Sequence, residues 1–412
     1  MGMRHPLKGA TYEGFPSLPW YDWWIQSQLA QQPKELFACI QDFDHESEEI
    51  SFDAIKSVYS KVSTIIINDG ELGISDIVQK LLDDGRITVA KDVRGIEMAM
   101  DLVFSITGWQ TMLYRPDVFS CPPSELCIAD EMDGYRGEAH ICLKQSRISS
   151  NRRLSDFLLG FGLMLPPRNH HTFEDVEEMK NFSRLKSVDS STLNMHLLVK
   201  IGGISVNWTD CLACHLELDK NERALYLFRY PSFCVANLRN RSTDGNGWSV
   251  IHSCASSLPS NTHWAASQDV TELLQEIVLS YRLLFNQHVK SRELLRKLRP
   301  FKHVPLDGHD DFLLDVCGKK QFNSSLGIIE RDTYELARDF AHLRSRIVRL
   351  NTYLDDRKPR SWRELWLDNR DSASWLTFWA VIVVGGMGLI LSFLQLVFQI
   401  VQVAMAVRQP GS

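Results

Sequence analysis

The chain lacks the short motifs that would name a reaction. It contains no G-x-x-x-x-G-K-[ST] loop, no G-x-G-x-x-G, no G-x-S-x-G and no H-E-x-x-H. These absences exclude the P-loop NTPase, the fingerprinted dinucleotide enzyme, the nucleophile-elbow hydrolase and the zincin protease as motif-based readings. Catalysis by an unlisted constellation stays open. Basic charge is not in excess either. The 45 Lys and Arg stand against 51 Asp and Glu, a net charge of −6, which argues against a general nucleic-acid binder. The opening MGMRHPLKGATYEGF is too polar for a secretory signal. Nine cysteines, odd in number and scattered, do not make a disulfide framework and suit a reducing compartment.

One absence is local and positive in meaning. Trp375 to Leu394, WLTFWAVIVVGGMGLILSFL, has no charged residue. Twenty residues at about 1.5 Å each reach roughly 30 Å, the hydrocarbon thickness of a bilayer. Eleven of them are Leu, Ile, Val or Phe, and together these favour insertion by about 3–6 kcal/mol. The spacing predicts one transmembrane helix over residues 375–407. Arg357, Lys358, Arg360, Arg363 and Arg370 precede it and Arg408 alone follows. The positive-inside rule then places the N-terminal bulk in the cytosol. Trp362, Trp366, Trp375 and Trp379 gather at the entry side, where indoles favour the interface. Gly385, Gly386 and Gly388 permit close approach of a second helix, and Gln395, Gln399 and Gln402 share one helical face. That face is either a homo-oligomer contact or simply lies in the far headgroup layer.

Ahead of the span the expected fold class is α+β, mainly helical with a small antiparallel sheet. Residues 1–49 are rich in Trp and Pro, then acidic; Trp20, Trp23 and Trp24 read as a packed helical face, as a dock on the main domain or as a membrane contact, with packing the default. Residues 50–190 read as helical, with Ser75 and Asp76 where a cap would sit and Gly85 where a helix would stop. Residues 191–265 hold NMHLLVKI, ISVNWTDCLACHLELD and RALYLFRYPSFCVANL, read as the small antiparallel β region. Residues 266–356 carry two four-three seams. One runs through Val270, Leu274, Ile277, Tyr281, Leu284 and His288, the other through Leu336, Phe340, Leu343, Ile347, Leu350 and Leu354. They predict a long antiparallel helix pair. Residues 357–374 form an expected interfacial helix, opened by a Ser361/Glu364 capping box.

Three clusters have the residue types of a site. Cys211-Leu-Ala-Cys214-His215 matches the C-x-x-C-H haem-attachment spacing, but no second ligand pair accompanies it for zinc and it does not cap a helix as a redox pair would. Buried structural thiols are the expected reading, and the role of Cys211, Cys214 and His215 is left open. His170, His171 and Glu174 read as a solvated helix start. Between Arg338 and Asp371 there are nine basic and six acidic side chains, with Arg338, Arg344, Arg346 and Arg349 read either as a solvated face or as weak attraction to anionic lipid. No catalytic, cofactor-binding or metal-binding residue is expected.

LSDFLLGFGLMLP, WTDCLACHLELD, ALYLFRYPSFC and above all PRSWRELWLDNRDSASWLTFWAVIVVGG resemble a family of filamentous-fungal membrane proteins, over most of residues 150–407. The resemblance implies a single-span architecture and no catalytic residues. Gly386-Met387-Gly388 replaces the Gly-Met-Asn signature of CorA-like transporters and lies inside the single span, not after a first one. The expected function is a tail-anchored, single-pass scaffold or adaptor, whose partners are the lipid bilayer and a protein at the cytosolic face. The alternatives are a membrane-associated enzyme or accessory protein of a fungal secondary-metabolite pathway, and an oligomeric CorA-like transport component.

Overall fold

The structure, a computed structural model, describes residues 18–41, 43, 50–89, 93–129, 142–171, 173, 175–243, 249–256, 264–319, 328–357 and 372–408. It divides into two units, Met1–Asp356 and Arg357–Ser412. The expected interfacial helix, with Trp362 and Trp366, lies outside the described residues.

In the first unit the N-terminal half is a helical layer: α1 (Tyr21–Ala30), α2 (Phe52–Asn68), α3 (Ile74–Asp83) and α4 (Val93–Thr111). Each has a sequence reason. Ile55, Val58, Tyr59, Val62 and Ile66 recur at helical spacing along α2 and are buried. The α3 start is fixed by Asp76, whose Oδ2 accepts the Gly73 N–H at 2.9 Å. Gly73 is required there, because a Cβ would lie 2.5 Å from the carbonyl oxygens of Ser150 and Arg152. Gly85, at φ +63, ends the helix in the left-handed region. The tryptophans pack as expected. Trp20 stacks on Tyr230 with centroids 3.9 Å apart, and Trp24 donates to Asp210 at 3.0 Å. Burial of such a side chain stabilises by about 1.5–3 kcal/mol.

The middle of the chain contributes β1 (Glu125–Cys127) paired antiparallel with β2 (Lys144–Ser146), then α5 (Leu154–Leu159) and α6 (Val176–Arg184). A second antiparallel pair joins β3 (Ser187–Asp189) to β7 (Thr333–Glu335). The three-stranded sheet is ordered β4-β6-β5, from β4 (Ser205–Thr209), β5 (Leu218–Asp219) and β6 (Ala224–Phe228). β5 meets β6 antiparallel, but β4 meets β6 parallel. All five residues of β6 are buried. Two segments read from sequence as strand are helical. Met195–Lys200 forms α7, because Asn194 Oδ1 accepts the Leu197 N–H at 3.0 Å and caps it. Pro231–Thr243 forms α8, with Pro at its first position.

α9 (Val250–Ser253), α10 (Ser267–Tyr281), α11 (Val289–Leu298), α12 (Asp311–Cys317), α13 (Leu336–Asp339) and α14 (Arg344–Asp355) complete the unit. The expected long helix pair is interrupted in both members. α10 passes into a π turn at Arg282–Asn286 before α11 begins. The second seam breaks at Phe340, whose φ of −140 and ψ of 44 are not helical. The seam residues other than the half-buried His288 are buried nonetheless, so the spacing is largely right about burial and wrong about continuity. α10 packs chiefly on α8, and α14 on α6.

The second unit's described part is one helix, α15 (Ser372–Arg408). Its stretch Trp379–Met405, 27 residues of mean hydropathy 2.4, is long and apolar enough to cross a membrane by length and composition. The fold class is therefore α+β, mainly helical, with small antiparallel pairings and one C-terminal apolar helix.

Candidate functional site

Three segments far apart in sequence converge at one end of α10. They are the Pro166-Pro167-Arg168 loop, the first two turns of α10, and the turn between α13 and α14. The helix start is set by Asp269, whose Oδ2 accepts the N–H of Ala266 at 2.9 Å. One turn on, Glu272 projects beside it. A further turn along, Glu276 is almost fully buried, 4% exposed. Its carboxylate accepts the N–H of His342 at 2.9 Å and that of Leu343 at 2.8 Å. These are amides that a continuous helix from α13 would have consumed. The break at Phe340 releases them, and Glu276 caps the start of α14 from a different helix.

His342 is the centre of this junction. It is 2% exposed. Its Nδ1 lies 2.8 Å from the carbonyl of Pro166. A carbonyl only accepts, so Nδ1 carries the proton and Nε2 faces the acids. Nε2 makes no hydrogen bond, and a Glu272 oxygen lies 3.5 Å away. Burial pushes the imidazole down, but the carboxylates of Glu272 and Glu276 more than offset that and hold it above its ordinary value. Glu272 is held low by His342 and then by Arg168, which forms an ion pair with it. Desolvation pushes Glu276 up to about 7 despite its backbone donors. Donor atoms of Asp269, Glu272 and His342 lie within 4.8 Å of one another. A cavity of about 310 Å³ adjoins, lined by Arg168, Glu272, Glu276, Arg331, Arg338 and Asp339 among others.

Nothing in the sequence pattern singles out Asp269, Glu272, Glu276 or His342. Asp269 and Glu272 stand at i,i+3, but nothing in the chain ties them to a histidine seventy positions later. The residues that were singled out lie elsewhere. Trp375 falls in the first turn of α15 and Trp379 in the next. Gly385, Gly386 and Gly388 present open faces, where an added Cβ would meet nothing within 4 Å. Gln395, Gln399 and Gln402 are exposed along the same helix.

The C-x-x-C-H segment is the crossover from β4 towards β5, and it is wholly internal. Cys211, Cys214 and His215 are at most 2% exposed, and neither cysteine is in a disulfide. Cys211 Sγ donates to the Leu113 carbonyl at 2.7 Å. The N–H of Phe228 donates to His215 Nδ1 at 3.3 Å, so Nε2 carries the proton and faces Ser280 Oγ at 2.7 Å. Both ring nitrogens are used, which leaves none for iron. The cavity at this motif holds only about 20 Å³, the room of a single water. His196 sits apart from it, its ring 5.6 Å from that of His288.

Within the basic run, Arg338 is exposed, Arg346 and Arg349 are buried, and the part beyond Arg357 up to Asp371 lies outside the described residues. Arg346 Nε meets Glu217 Oε1 at 2.9 Å, and Arg349 bridges Glu217 and Glu178. Lys220 reaches Glu178 at 2.6 Å and Asp175 at 3.3 Å. Arg344 donates to the Phe182 carbonyl at 2.6 Å, and Arg338 pairs with Asp339. The network ties α6, β5 and α14 together across the interior. The expected solvated start at His170 and His171 is partly different too. His171 stacks on Phe182 at 4.8 Å, while α6 begins beyond it under an Asp175 cap.

Comparison with protein-family models, with curated proteins and with solved structures finds no match to this chain.

Proposed function

We propose that the protein is a tail-anchored, single-pass membrane protein whose body works in the cytosol as a scaffold or adaptor. The observation that carries this is α15. It offers a 27-residue stretch, Trp379–Met405, of mean hydropathy 2.4, with Leu389, Phe393 and Phe398 each more than 60% exposed. Exposed apolar surface on that scale is tolerated when lipid covers it. The basic flank from Arg357 to Arg370 supports the cytosolic orientation through the positive-inside rule. The resemblance of the tail to filamentous-fungal membrane proteins points the same way. The scaffold role is supported by the use made of the body's ionisable groups. Arg346, Arg349, Glu178 and Glu217 are spent on internal pairing, as is His215. The Gln395, Gln399 and Gln402 face is the candidate contact for a second copy of the helix.

Alkaline carbonate extraction of cells expressing the full chain tests the anchor. The protein is expected in the membrane pellet, and deletion of residues 372–408 is expected to release it. Extraction of the intact chain into the supernatant contradicts the proposal.

A second reading, a membrane-associated enzyme, has one observation in its favour: the polar cavity beside Glu272, Glu276 and His342. Unchanged cellular function after replacement of Glu272 and His342 argues against it.

A further inference from the structure

The Asp269, Glu272 and His342 cluster holds more than a helix cap and an ion pair require. A cap explains Asp269, and the Arg168 contact explains Glu272. Neither explains a buried imidazole nitrogen that makes no hydrogen bond and is turned towards two carboxylates. The nearest group to it, a Glu272 oxygen 3.5 Å away, gives only a long ion pair with the protonated ring, and a cation bound there would satisfy the nitrogen in its neutral form.

We propose that Asp269, Glu272 and His342 form a binding site for a divalent first-row transition-metal ion of the Mn²⁺ or Zn²⁺ type. The donor set is one imidazole and two carboxylates, which suits these ions better than Ca²⁺ or Mg²⁺, whose ligands are oxygen. The imidazole is already oriented for the task. Its Nδ1–H is held by the Pro166 carbonyl, the outer contact that metal-ligating histidines characteristically make. The three donor atoms lie within 4.8 Å of one another. Bonds of about 2.0–2.2 Å bring such donors to roughly 3–4 Å apart, so a small closure of Glu272 completes the set. Asp269 keeps acceptor capacity while capping, since a carboxylate has about four lone-pair directions. Glu272 and Asp269 are half-buried, and Glu272 lines the cavity, so an ion has an entry past it and water can fill its remaining positions.

Arg168 is the competing cation. It pairs with Glu272 through a side chain that is 46% exposed. A bound ion displaces it, and its removal should tighten binding. This separates the assignment from adventitious surface binding, which would not respond to a neighbouring arginine. It does not depend on the membrane role.

The test is a Mn²⁺ titration of the full-length protein in detergent, followed by loss of the free-ion paramagnetic resonance signal, with Zn²⁺ as competitor. The expected result is one Mn²⁺ per chain, displaced by Zn²⁺. Glu272→Gln and Asp269→Asn should each weaken binding by about tenfold or more. Arg168→Ala should tighten it about two- to fivefold. Folding of each variant is checked by its melting transition. If the acidic-site variants do not fold, the exposed Arg168→Ala variant still decides. No saturable binding to the wild type overturns the proposal, as does binding that none of the three substitutions alters.

Discussion

At the scale of single residues, the interior polar groups are the ones whose roles the geometry defines most sharply. His215 is held neutral by burial, and by the nearby Arg346 charge, well below its ordinary value of 6.5. In the unfolded chain it takes a proton near that value, while the folded protein resists it. The unfolded state therefore binds more protons as the pH falls. Stability from this group is complete above 6.5 and is lost on acidification, by up to about 1.4 kcal/mol per pH unit. Denaturant melts of the wild type and of His215→Gln across neutral to mildly acidic pH should show a steeper loss in the wild type. Parallel pH profiles would remove the assignment. Glu276 makes a second prediction. Glu276→Ala strips the acceptor from two buried N–H groups at the start of α14, and the expected cost is about 2–4 kcal/mol, read as a lowered melting midpoint. A change below about half a kilocalorie would mean that water replaces the carboxylate.

At the scale of elements, what the sequence made legible follows the reach of each signal. Local signals held: the Asp76 cap, the Gly85 stop, and the spacing that buries one face of α2. So did the packing of Trp20 and Trp24, because a large apolar surface favours burial whatever the topology. Signals of longer reach did not hold. The Asn194 cap on α7 comes from the structure alone, because six residues of mixed apolar character read as strand equally well. The second heptad seam is continuous in sequence and broken in space, because the acceptor that ends it, Glu276, comes from another helix. Arg346 and Arg349 looked like an exposed basic face for a related reason. Their partners Glu178 and Glu217 lie more than a hundred residues away, and no pattern in α14 announces them. The metal-capable cluster was hidden in the same way. For α15 the element-scale prediction concerns the amide face. If Gln395, Gln399 and Gln402 meet a second copy, their joint replacement by Leu should abolish a crosslinked dimer in native membranes. An unchanged crosslink would place the face in the headgroup layer, or the contact on Gly385, Gly386 and Gly388.

At the scale of the whole molecule, the account joins a polar-networked body to a single apolar helix. The body's ionic groups, from Glu178 to Arg349, lock helices and strand together. Breaking such a buried pair on one side costs about 3–5 kcal/mol, so the network favours a rigid unit over a mobile one. The central claim is topological, and protease protection of sealed microsomes carrying the full chain, tagged at both ends, tests it most directly. The account predicts that the N-terminal tag is digested from outside while the C-terminal tag survives until detergent is added. Survival of the N-terminal tag in intact vesicles, or digestion of both tags without detergent, would contradict it.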